Sequence, residues 1–427
     1  NLAATAVAIR TLGIEAMGVL VLVHTFAQTS STLVKFQSWQ AVVRYGVSSL
    51  EPGRRAGFHA LLRFTAGLDA ASGLAACAIC AGAAFLLGPA FGLPPGVAPF
   101  AALYATAAAF MVMATPNGLL RLFDRFDLLA RADALAAVVR LAGAALAAAL
   151  GGGLPAFVGA WYASVVIGGL ALAFAAWMEL RRRGLLSRGQ AAAGAADGRR
   201  VRATKAHPGI WGFVWSTNMM TTLSLASGHV ATLCVGLVLG PAQVALFSLA
   251  RQIGEALLKP SRFLTPALYP ELARLAAAGD HAGLRAVIRR GFAYSAVGAL
   301  AVLAALAVLG GPLLRLVGGE AASPAWGVML LLACAASLNF AAFPLEPLLV
   351  SVQRHGKALG IRSAATFAYI PVALAGLQVL GLEGAGVAAV ASAALQLAGQ
   401  AFAARRWLRA RAASGPAPGA TEIRHGG

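Results

Sequence analysis

Long apolar stretches separated by short polar connections run along almost the whole chain. A helix that crosses a bilayer needs about 20 consecutive, mostly apolar residues. The first apolar stretch, residues 1–9, is too short for this, and because the chain begins at Asn1 we expect a truncated first helix and about twelve helices in all. The further predicted spans are residues 17–36, 58–87, 97–119, 130–150, 155–178, 210–239, 243–268, 292–317, 323–350, 359–380 and 383–404.

The composition also indicates a polytopic membrane protein. Only 11% of the 427 residues are charged and 59% are hydrophobic, whereas soluble domains carry about 25% charged residues. The 34 Lys and Arg residues exceed the 15 Asp and Glu residues by 19, an excess that in a soluble protein would indicate nucleic-acid binding. Here the basic residues fall between the apolar stretches, so we exclude nucleic acid as a partner and attribute the excess to membrane topology.

The connections alternate in their content of Lys and Arg. Residues 88–96, 151–154 and 240–242 contain neither residue. Because Lys and Arg are enriched in cytoplasmic loops, we expect the basic connections and both chain termini in the cytoplasm. The basic connections contain Arg44, Arg54 and Arg55; Arg121, Arg125 and Arg131; residues 181–205; Arg274, Arg285, Arg289 and Arg290; Arg354 and Lys357; and residues 405–411.

The two halves of the chain show a weak internal repeat. Offsets between matching short motifs stay between 223 and 230 residues. Six spans return each copy to the same side of the membrane, so the repeat predicts two parallel six-helix bundles around a central cleft. The predicted divisions are a lobe at 1–180, a linker at 181–209, a lobe at 210–404 and a disordered tail at 405–427. The matches include Leu12-Gly13 with Leu239-Gly240, Ala60–Arg63 with Ala286–Arg289, and Gly88-Pro89 with Gly311-Pro312.

Charged residues form a stripe on the predicted span 243–268. At about 100° per residue, its four members fall within an arc of about 80°. Because a charge at the bilayer centre costs at least about 2.5–3.5 kcal/mol, we expect the stripe to line a protein interior. Its members are Arg251, Glu255, Lys259 and Arg262.

The repeat places a second polar stripe on the predicted span 17–36. His24, Gln28 and Lys35 correspond to members of the first stripe at an offset of 227 residues. Two mainly cationic faces on equivalent helices indicate a water-accessible cleft between the lobes. Such a cleft suits an anionic substrate that carries a phosphate or pyrophosphate group.

Each of these residues also has a structural interpretation. Lys35 and Arg262 lie near helix ends, where long basic side chains can extend to the interface. Glu255 is either a helical partner of its basic neighbours or a group that couples transport to an ion. His24 could be a packing residue held by a hydrogen bond. Asp69 and Arg140 are expected to pair within the first lobe.

The sequence lacks the motifs of covalent or metal catalysis. There is no Walker-type loop and no zinc-ligand spacing, and we expect neither metal nor cofactor. Cys77 and Cys80 form a CxxC pair within an apolar stretch, which favours two small buried side chains over a redox site. The chain is therefore predicted not to be an enzyme.

Several motifs resemble those of bacterial polysaccharide flippases, the O-antigen and capsule transporters of the multidrug/oligosaccharidyl-lipid/polysaccharide exporter superfamily. The resemblance covers nearly the whole chain except its tail. One departure concerns the coupling ion, because relatives often carry an acidic residue where this chain has residues 227–231, with His229 as a candidate substitute. The motifs are Arg10–Gly13 with Gly18, Gln40–Tyr45, Gly118–Phe126, Leu239–Pro241 and Phe247–Ala250.

The resemblance implies a flippase that moves undecaprenyl-pyrophosphate-linked oligosaccharides across the inner membrane by alternating access. The cavity would be lined by the first, second, seventh and eighth spans. Its expected partners are membrane lipids, glycan polymerase and chain-length proteins, and the transporter itself is expected to be a monomer. The predicted substrate-binding residues are Arg251, Lys259, Arg262, Lys35, His24 and Gln28, and the candidate coupling groups are Glu255, Asp69 and His229.

Three alternatives remain open at this point. A cation-coupled exporter of drugs or metabolites would share the fold, although cationic drugs favour acidic cavity walls. A lipid II flippase would also have a cationic cavity, but it would usually add two C-terminal helices. The third alternative is a membrane subunit of a glycan polymerase complex that does not itself transport.

Overall fold

The computed structural model describes residues 2–51, 54–186, 203–256, 274–275, 281–342, 345, 348 and 355–413. Every regular element within these ranges is a helix, and nine helical segments there, some made of consecutive helices, are long and apolar enough to cross a membrane. The predicted all-α polytopic fold is therefore confirmed. The first eight helices are α1 (Leu2–Val34), α2 (Ser38–Ser49), α3 (Arg55–Leu87), α4 (Ala98–Ala105), α5 (Ala107–Met111), α6 (Ala114–Leu122), α7 (Phe126–Ala149) and α8 (Leu154–Arg182).

The remaining helices follow the predicted linker. Short 3-10 turns at Gly88–Phe91, Pro95–Val97 and Glu320–Ala325 complete the regular structure of the described ranges. The helices are α9 (Ala203–Ala206), α10 (Ile210–Leu239), α11 (Pro241–Ala256), α12 (His281–Gly318), α13 (Trp326–Ala341), α14 (His355–Leu380) and α15 (Leu382–Ala413).

Helix α1 contains a sharp break at Gly13, where φ is 79° and ψ is 173°. Residues 2–12 precede the break and residues 14–34 follow it, so α1 includes both the short first stretch and most of the predicted span 17–36. This combination of φ and ψ is accessible almost only to glycine, because a side chain would clash with the backbone. The glycine thus sets the direction of the chain between the two parts of α1.

The predicted span 97–119 is not one continuous helix. It is divided into α4, α5 and α6, and Met113, between α5 and α6, has a non-helical ψ of 74°. Pro116 contributes to this break. A proline fits in the first turn of α6, but a helix that began earlier in the chain cannot continue through it, because proline lacks an N–H group and its ring clashes with the preceding turn. The break lies within the length of a span, so its backbone groups need partners from other helices.

The chain groups into two compact units, Asn1–Ala245 and Leu246–Gly427. Helix α10 belongs to the first unit because it packs on α1 and α2. A core cluster at this contact contains Ala41, Leu61 and Val214. The predicted lobes 1–180 and 210–404 remain a prediction, and most of the linker between them, residues 187–202, lies outside the described residues.

Helix α15 extends beyond the last predicted span and ends at Ala413. Residues 405–413, which we assigned to a disordered tail, are therefore helical. Alanine and arginine are among the strongest helix formers, which explains the extension. Residues 414–427 lie outside the described part of the chain. In the second unit, α15 also contributes Ala404 to a core cluster with Leu284 and Leu345.

Candidate functional site

The first unit contains a cavity of about 520 Å³. The polar face of α1 forms one wall, and residues of α2, α5, α6, α7, α8 and α10 complete it. The cavity therefore gathers residues that are far apart in sequence. The lining residues are His24, Gln28, Ser31, Thr32, Lys35, Gln37, Trp39, Met111, Ala114, Asn117, Arg121, Arg140, Val165 and His229.

The stripe predicted on α1 lies along this cavity. His24, Gln28 and Lys35 all line it, together with Ser31. Their spacing of three and four residues places them on one face of the helix. The structure also brings His229, the candidate coupling residue of α10, to the same cavity. Four of the predicted site residues thus meet in one place: two on α1, Lys35 directly after it, and His229 on α10.

Ser31 on α1 and Lys35, the residue that follows α1, bind carbonyl groups near the break between α5 and α6. The ammonium group of Lys35 donates a hydrogen bond to the carbonyl of Met111 at 3.0 Å, and the Ser31 hydroxyl donates to the carbonyl of Ala108 at 3.1 Å. The last carbonyls of a helix have no partner within that helix. Lys35 therefore supplies a donor to a carbonyl at the end of α5, and its side chain stays at the cavity wall.

Asp69 binds the other side of the same break. One carboxylate oxygen accepts a hydrogen bond from the backbone N–H of Thr115 at 2.6 Å, in the first turn of α6, and the other accepts from the Ser38 hydroxyl at 2.8 Å. A carboxylate is favourable at this position because the first N–H groups of a helix carry a partial positive charge. Asp69 thus joins the beginnings of α2 and α6.

The expected ion pair between Asp69 and Arg140 is wrong. The Arg140 guanidinium donates to the Ser164 hydroxyl at 3.0 Å and lies 5.5 Å from the centre of the Trp161 ring. The broken span explains the error, because its exposed N–H groups supply Asp69 with a closer partner. Arg140 is consequently available at the cavity wall.

Arg121 is a second cationic residue that the sequence did not assign to the site, since it was placed in a cytoplasmic connection. Its guanidinium donates to the side-chain oxygen of Asn117 at 2.6 Å and lies 4.7 Å from the centre of the Trp39 ring. The four-residue spacing of Asn117 and Arg121 on one helix could have signalled this pairing. Stacking on an aromatic ring favours a fixed guanidinium orientation.

The cavity is electropositive. Lys35, Arg121 and Arg140 are its basic side chains, and none of the described residues that line the cavity is acidic. Charged and hydrogen-bonding groups of this kind suit an anionic ligand. Within the described ranges, moreover, no three His, Cys, Asp or Glu side chains are grouped so that they could hold a metal ion.

Comparison with known proteins places the chain in a family. No protein-family model matches it. The inner membrane protein YghQ of Escherichia coli (strain K12) is 36% identical over 302 residues, which are 71% of this chain and 82% of YghQ. The chain belongs to the YghQ family. With the apolar helices described above, this relationship makes it a multi-pass inner membrane protein.

Solved structures share the fold of this YghQ relative. An inward-facing multidrug resistance MATE transporter of the MOP superfamily superimposes with a TM-score of 0.76 at 16% identity, covering 97% of this chain and 95% of the transporter. The lipid II flippase MurJ, in an inward closed conformation, gives 0.65 at 11% identity, covering 95% and 85%. At these identities the likeness concerns the fold alone, which is that of MOP-superfamily transporters.

The second stripe of this YghQ-family chain is described only in part. Arg251 is half-buried on α11 in the second unit. Lys259 and Arg262 lie outside the described residues, as does the side chain of Glu255. The stripe that these four residues were predicted to form stays a prediction.

Proposed function

We propose that the protein is a flippase that moves undecaprenyl-pyrophosphate-linked oligosaccharides across the inner membrane by alternating access. The observation that carries the proposal is the cavity of the first unit, with its cationic residues Lys35, Arg121 and Arg140 and no acidic residue in the described lining. A pyrophosphate group presents several acceptor oxygens to such cations. Arginine in particular binds phosphate through two parallel hydrogen bonds.

The cavity also offers uncharged hydrogen-bonding groups beside the cations. Gln28, Thr32, Gln37 and Asn117 line it, and their amide and hydroxyl groups can both donate and accept hydrogen bonds. Sugar hydroxyls need partners of this type. The combination supports a ligand with an anionic part and a polar, uncharged part, as in a lipid-linked oligosaccharide.

Orientation and partners form part of the same proposal. The alternation of Lys and Arg between the connections supports cytoplasmic basic loops and cytoplasmic termini. Glycan polymerase and chain-length proteins are the proposed partners of a monomeric transporter. The fold of MOP-superfamily transporters supports alternating access, in which one site opens to each side of the membrane in turn.

A cation-coupled exporter is the second candidate, because the MATE transporter shares the fold over nearly the whole chain. The charge of the cavity argues against it, since a cationic drug would be repelled by Lys35, Arg121 and Arg140. A lipid II flippase is the third candidate, supported by the fold shared with MurJ. A direct comparison of substrates separates the three.

The experiment measures translocation of a fluorescent undecaprenyl-pyrophosphate oligosaccharide in proteoliposomes. Lipid II and a cationic dye are tested separately as alternative substrates in the same assay. We expect the oligosaccharide to move, and Arg140→Gln to reduce its rate about tenfold or more, because a hydrogen bond to a charged group contributes about 1.5–3 kcal/mol. Arg131→Gln is the matched control, since it removes an exposed charge from the same helix α7. Transport of the dye or of lipid II alone would contradict the proposal.

Arg251→Ala tests the sequence prediction for the second unit in the same assay. We expect it to reduce oligosaccharide transport while the thermal stability of the purified protein stays unchanged. A variant that transports at the wild-type rate would remove Arg251 from the predicted substrate-binding residues, and the Arg140 result would be unaffected.

A further inference from the structure

His24 is a titratable residue at the wall of the electropositive cavity. Its Nδ1 atom lies 2.7 Å from the hydroxyl oxygen of Tyr104, which is only 1% exposed. The two rings meet edge to face, with centroids 5.9 Å apart. His24 is thus held in one orientation by a buried partner while its ring contributes to the cavity surface.

The Tyr104 hydroxyl can serve both protonation states of His24. A hydroxyl is at once a donor and an acceptor. It donates to Nδ1 when the imidazole is neutral, and it accepts from the Nδ1–H group when the imidazole is protonated. The hydrogen bond therefore persists in either state, and His24 can gain or lose a proton without a change in the orientation of its ring.

The surroundings of His24 are rich in positive charge. Arg140 and His229 interact electrostatically with His24, and Lys35 and Arg121 line the same cavity. Asp69, on α3, is the nearby carboxylate, but its two oxygens are occupied by Thr115 and Ser38. The other titratable groups on helices packed against this part of α1 include Cys77 and Cys80 on α3, Tyr104 on α4, Tyr162 on α8 and Cys234 on α10.

This arrangement makes the charge of His24 depend on the content of the cavity. A proton on His24 is opposed first by the burial of the imidazole and then by the positive charge of Arg140. A divalent anion bound among Lys35, Arg121 and Arg140 would offset that repulsion. Binding of the anion and protonation of the imidazole would then favour each other, and such a coupling is reciprocal.

We propose that an anion entering this cavity is bound together with one proton, which His24 takes up. The inference deepens the proposed function, because it rests on the same anion-binding cavity and names the group that links substrate charge to pH. It gives the proton role to His24, which the sequence predicted only to bind substrate, and not to His229 or Asp69. Neutralisation by a proton would lower the net charge carried with the substrate.

The linkage has a definite sign. Affinity for a divalent anion rises as the pH falls, by at most about tenfold per pH unit for one proton. The affinity stops rising at a pH low enough for His24 to be protonated in the anion-free protein as well as in the complex. A histidine is suited to this role because its charge changes within the physiological pH range.

The test uses sulfate as the probe, since sulfate is a divalent tetrahedral anion that takes up no proton near neutral pH. Sulfate affinity for the full chain in nanodiscs is measured by titration calorimetry between about pH 5.5 and 8.5, the range that brackets histidine titration. Repeating the titration in buffers of different ionisation enthalpy gives the number of protons taken up. We expect sulfate binding to the wild type to take up protons, with at most one proton per sulfate.

His24→Gln is the main variant, because glutamine keeps a hydrogen-bonding group near Tyr104 but does not titrate. We expect it to bind sulfate with an affinity independent of pH and without proton uptake. His229→Gln is the matched control, since it removes the other histidine of the cavity. It should keep the proton uptake, with only a small shift of the midpoint because His229 interacts electrostatically with His24. The reverse pattern would assign the proton to His229 and overturn the proposal.

Tyr104→Phe provides a second measurement that does not depend on the folding of His24→Gln. Loss of the hydroxyl removes a partner that bonds more strongly to the charged imidazole than to the neutral one. We expect the midpoint of the pH dependence to move to lower pH, while sulfate binding remains linked to proton uptake. An unchanged midpoint would contradict the role of this pair.

Two further outcomes would overturn the inference: sulfate binding that is independent of pH in the wild type, and the absence of sulfate binding at every pH. Failure of the flippase proposal would look different. Sulfate binding requires no translocation, so a protein that fails to move the lipid-linked oligosaccharide could still show proton-linked anion binding. If the protein transports the oligosaccharide but binds sulfate independently of pH, the proton linkage at His24 is wrong and the flippase proposal still stands.

Discussion

Gly13 and Gly240 have the same unusual backbone conformation although they lie 227 residues apart. Gly13 has φ 79° and ψ 173°, and Gly240 has φ 80° and ψ −177°. Each glycine follows a leucine and precedes a helix on which a polar stripe was predicted. The weak sequence match of Leu12-Gly13 with Leu239-Gly240 is thus accompanied by a match in local structure, which supports the internal repeat.

Substitution of either glycine by alanine should destabilise the protein. Neither position has an atom within 4 Å of an added Cβ, so the expected cost is conformational, about 1–3 kcal/mol. The measurement is the thermal midpoint of purified Gly13→Ala and Gly240→Ala. Gly82→Ala is the control, because Gly82 also has open space but lies within helix α3 without a positive φ. A control that loses as much stability as the two variants would contradict the conformational explanation.

The sequence alone predicted the all-α membrane fold and the wall of the cavity that contains His24, Gln28 and Lys35. Apolar length predicted α10 with the bounds that the structure has, and the spacing of His24, Gln28 and Lys35 predicted their common face. These features depend on local periodicity, which the sequence records directly. The roles of Arg121 and Arg140 depend instead on which helices meet across the cavity, and that information is not local.

The predicted ion pair between Asp69 and Arg140 was wrong for a reason that the sequence partly records. Opposite charges within the first predicted lobe suggested a bond with Arg140, whereas the actual partners of Asp69 are a backbone N–H and a serine hydroxyl. Pro116 was the available signal, since it marks the place where the span 97–119 breaks and exposes donors. The break before α6 thus gives Asp69 a hydrogen-bond donor, the N–H of Thr115, that lies 46 positions away in sequence.

Asp69→Asn tests whether this residue is structural or couples transport to an ion. An asparagine side chain has one acceptor oxygen in place of two, so it cannot accept from Ser38 and Thr115 through separate oxygens. We expect a loss of about 1–3 kcal/mol in stability, measured as the thermal midpoint. Asp133→Asn, an exposed change on α7, should have little effect. Full stability of Asp69→Asn with altered ion dependence of transport would favour the coupling role instead.

Glu179 bridges two arginines at the end of the first unit that the charge pattern predicts to be cytoplasmic. Its two oxygens accept from Arg125 and Arg183, each at 2.8 Å, and its side chain is 5% exposed. Both arginines are partly exposed, which weakens each pair through solvent screening. The burial of the carboxylate nevertheless makes the loss of its charge costly.

Glu179→Gln should lower the stability of the protein by about 1.5–3 kcal/mol, the usual contribution of hydrogen bonds to a charged group. Glu51→Gln is the control, because Glu51 forms an exposed pair with Arg54 at 3.2 Å, and exposed pairs contribute at most about 1 kcal/mol. Urea or thermal unfolding of the two variants in the same detergent gives the comparison. Equal effects would mean that burial of Glu179 is unimportant.

Gly18 marks a close approach between two segments of the first unit. A Cβ added to Gly18 would collide with the backbone carbonyl of Pro241, at the start of α11. Backbone atoms cannot move aside as a flexible side chain can, so Gly18→Ala should force the two segments apart and destabilise the protein by about 1–3 kcal/mol or more. Gly67→Ala, where an added Cβ meets open space, is the matched control. Because α1 carries His24 and leads directly into Lys35, the separation should also weaken sulfate binding, measured by the same calorimetry. A Gly18→Ala variant with wild-type stability and affinity would show that the close contact is not required for the cavity.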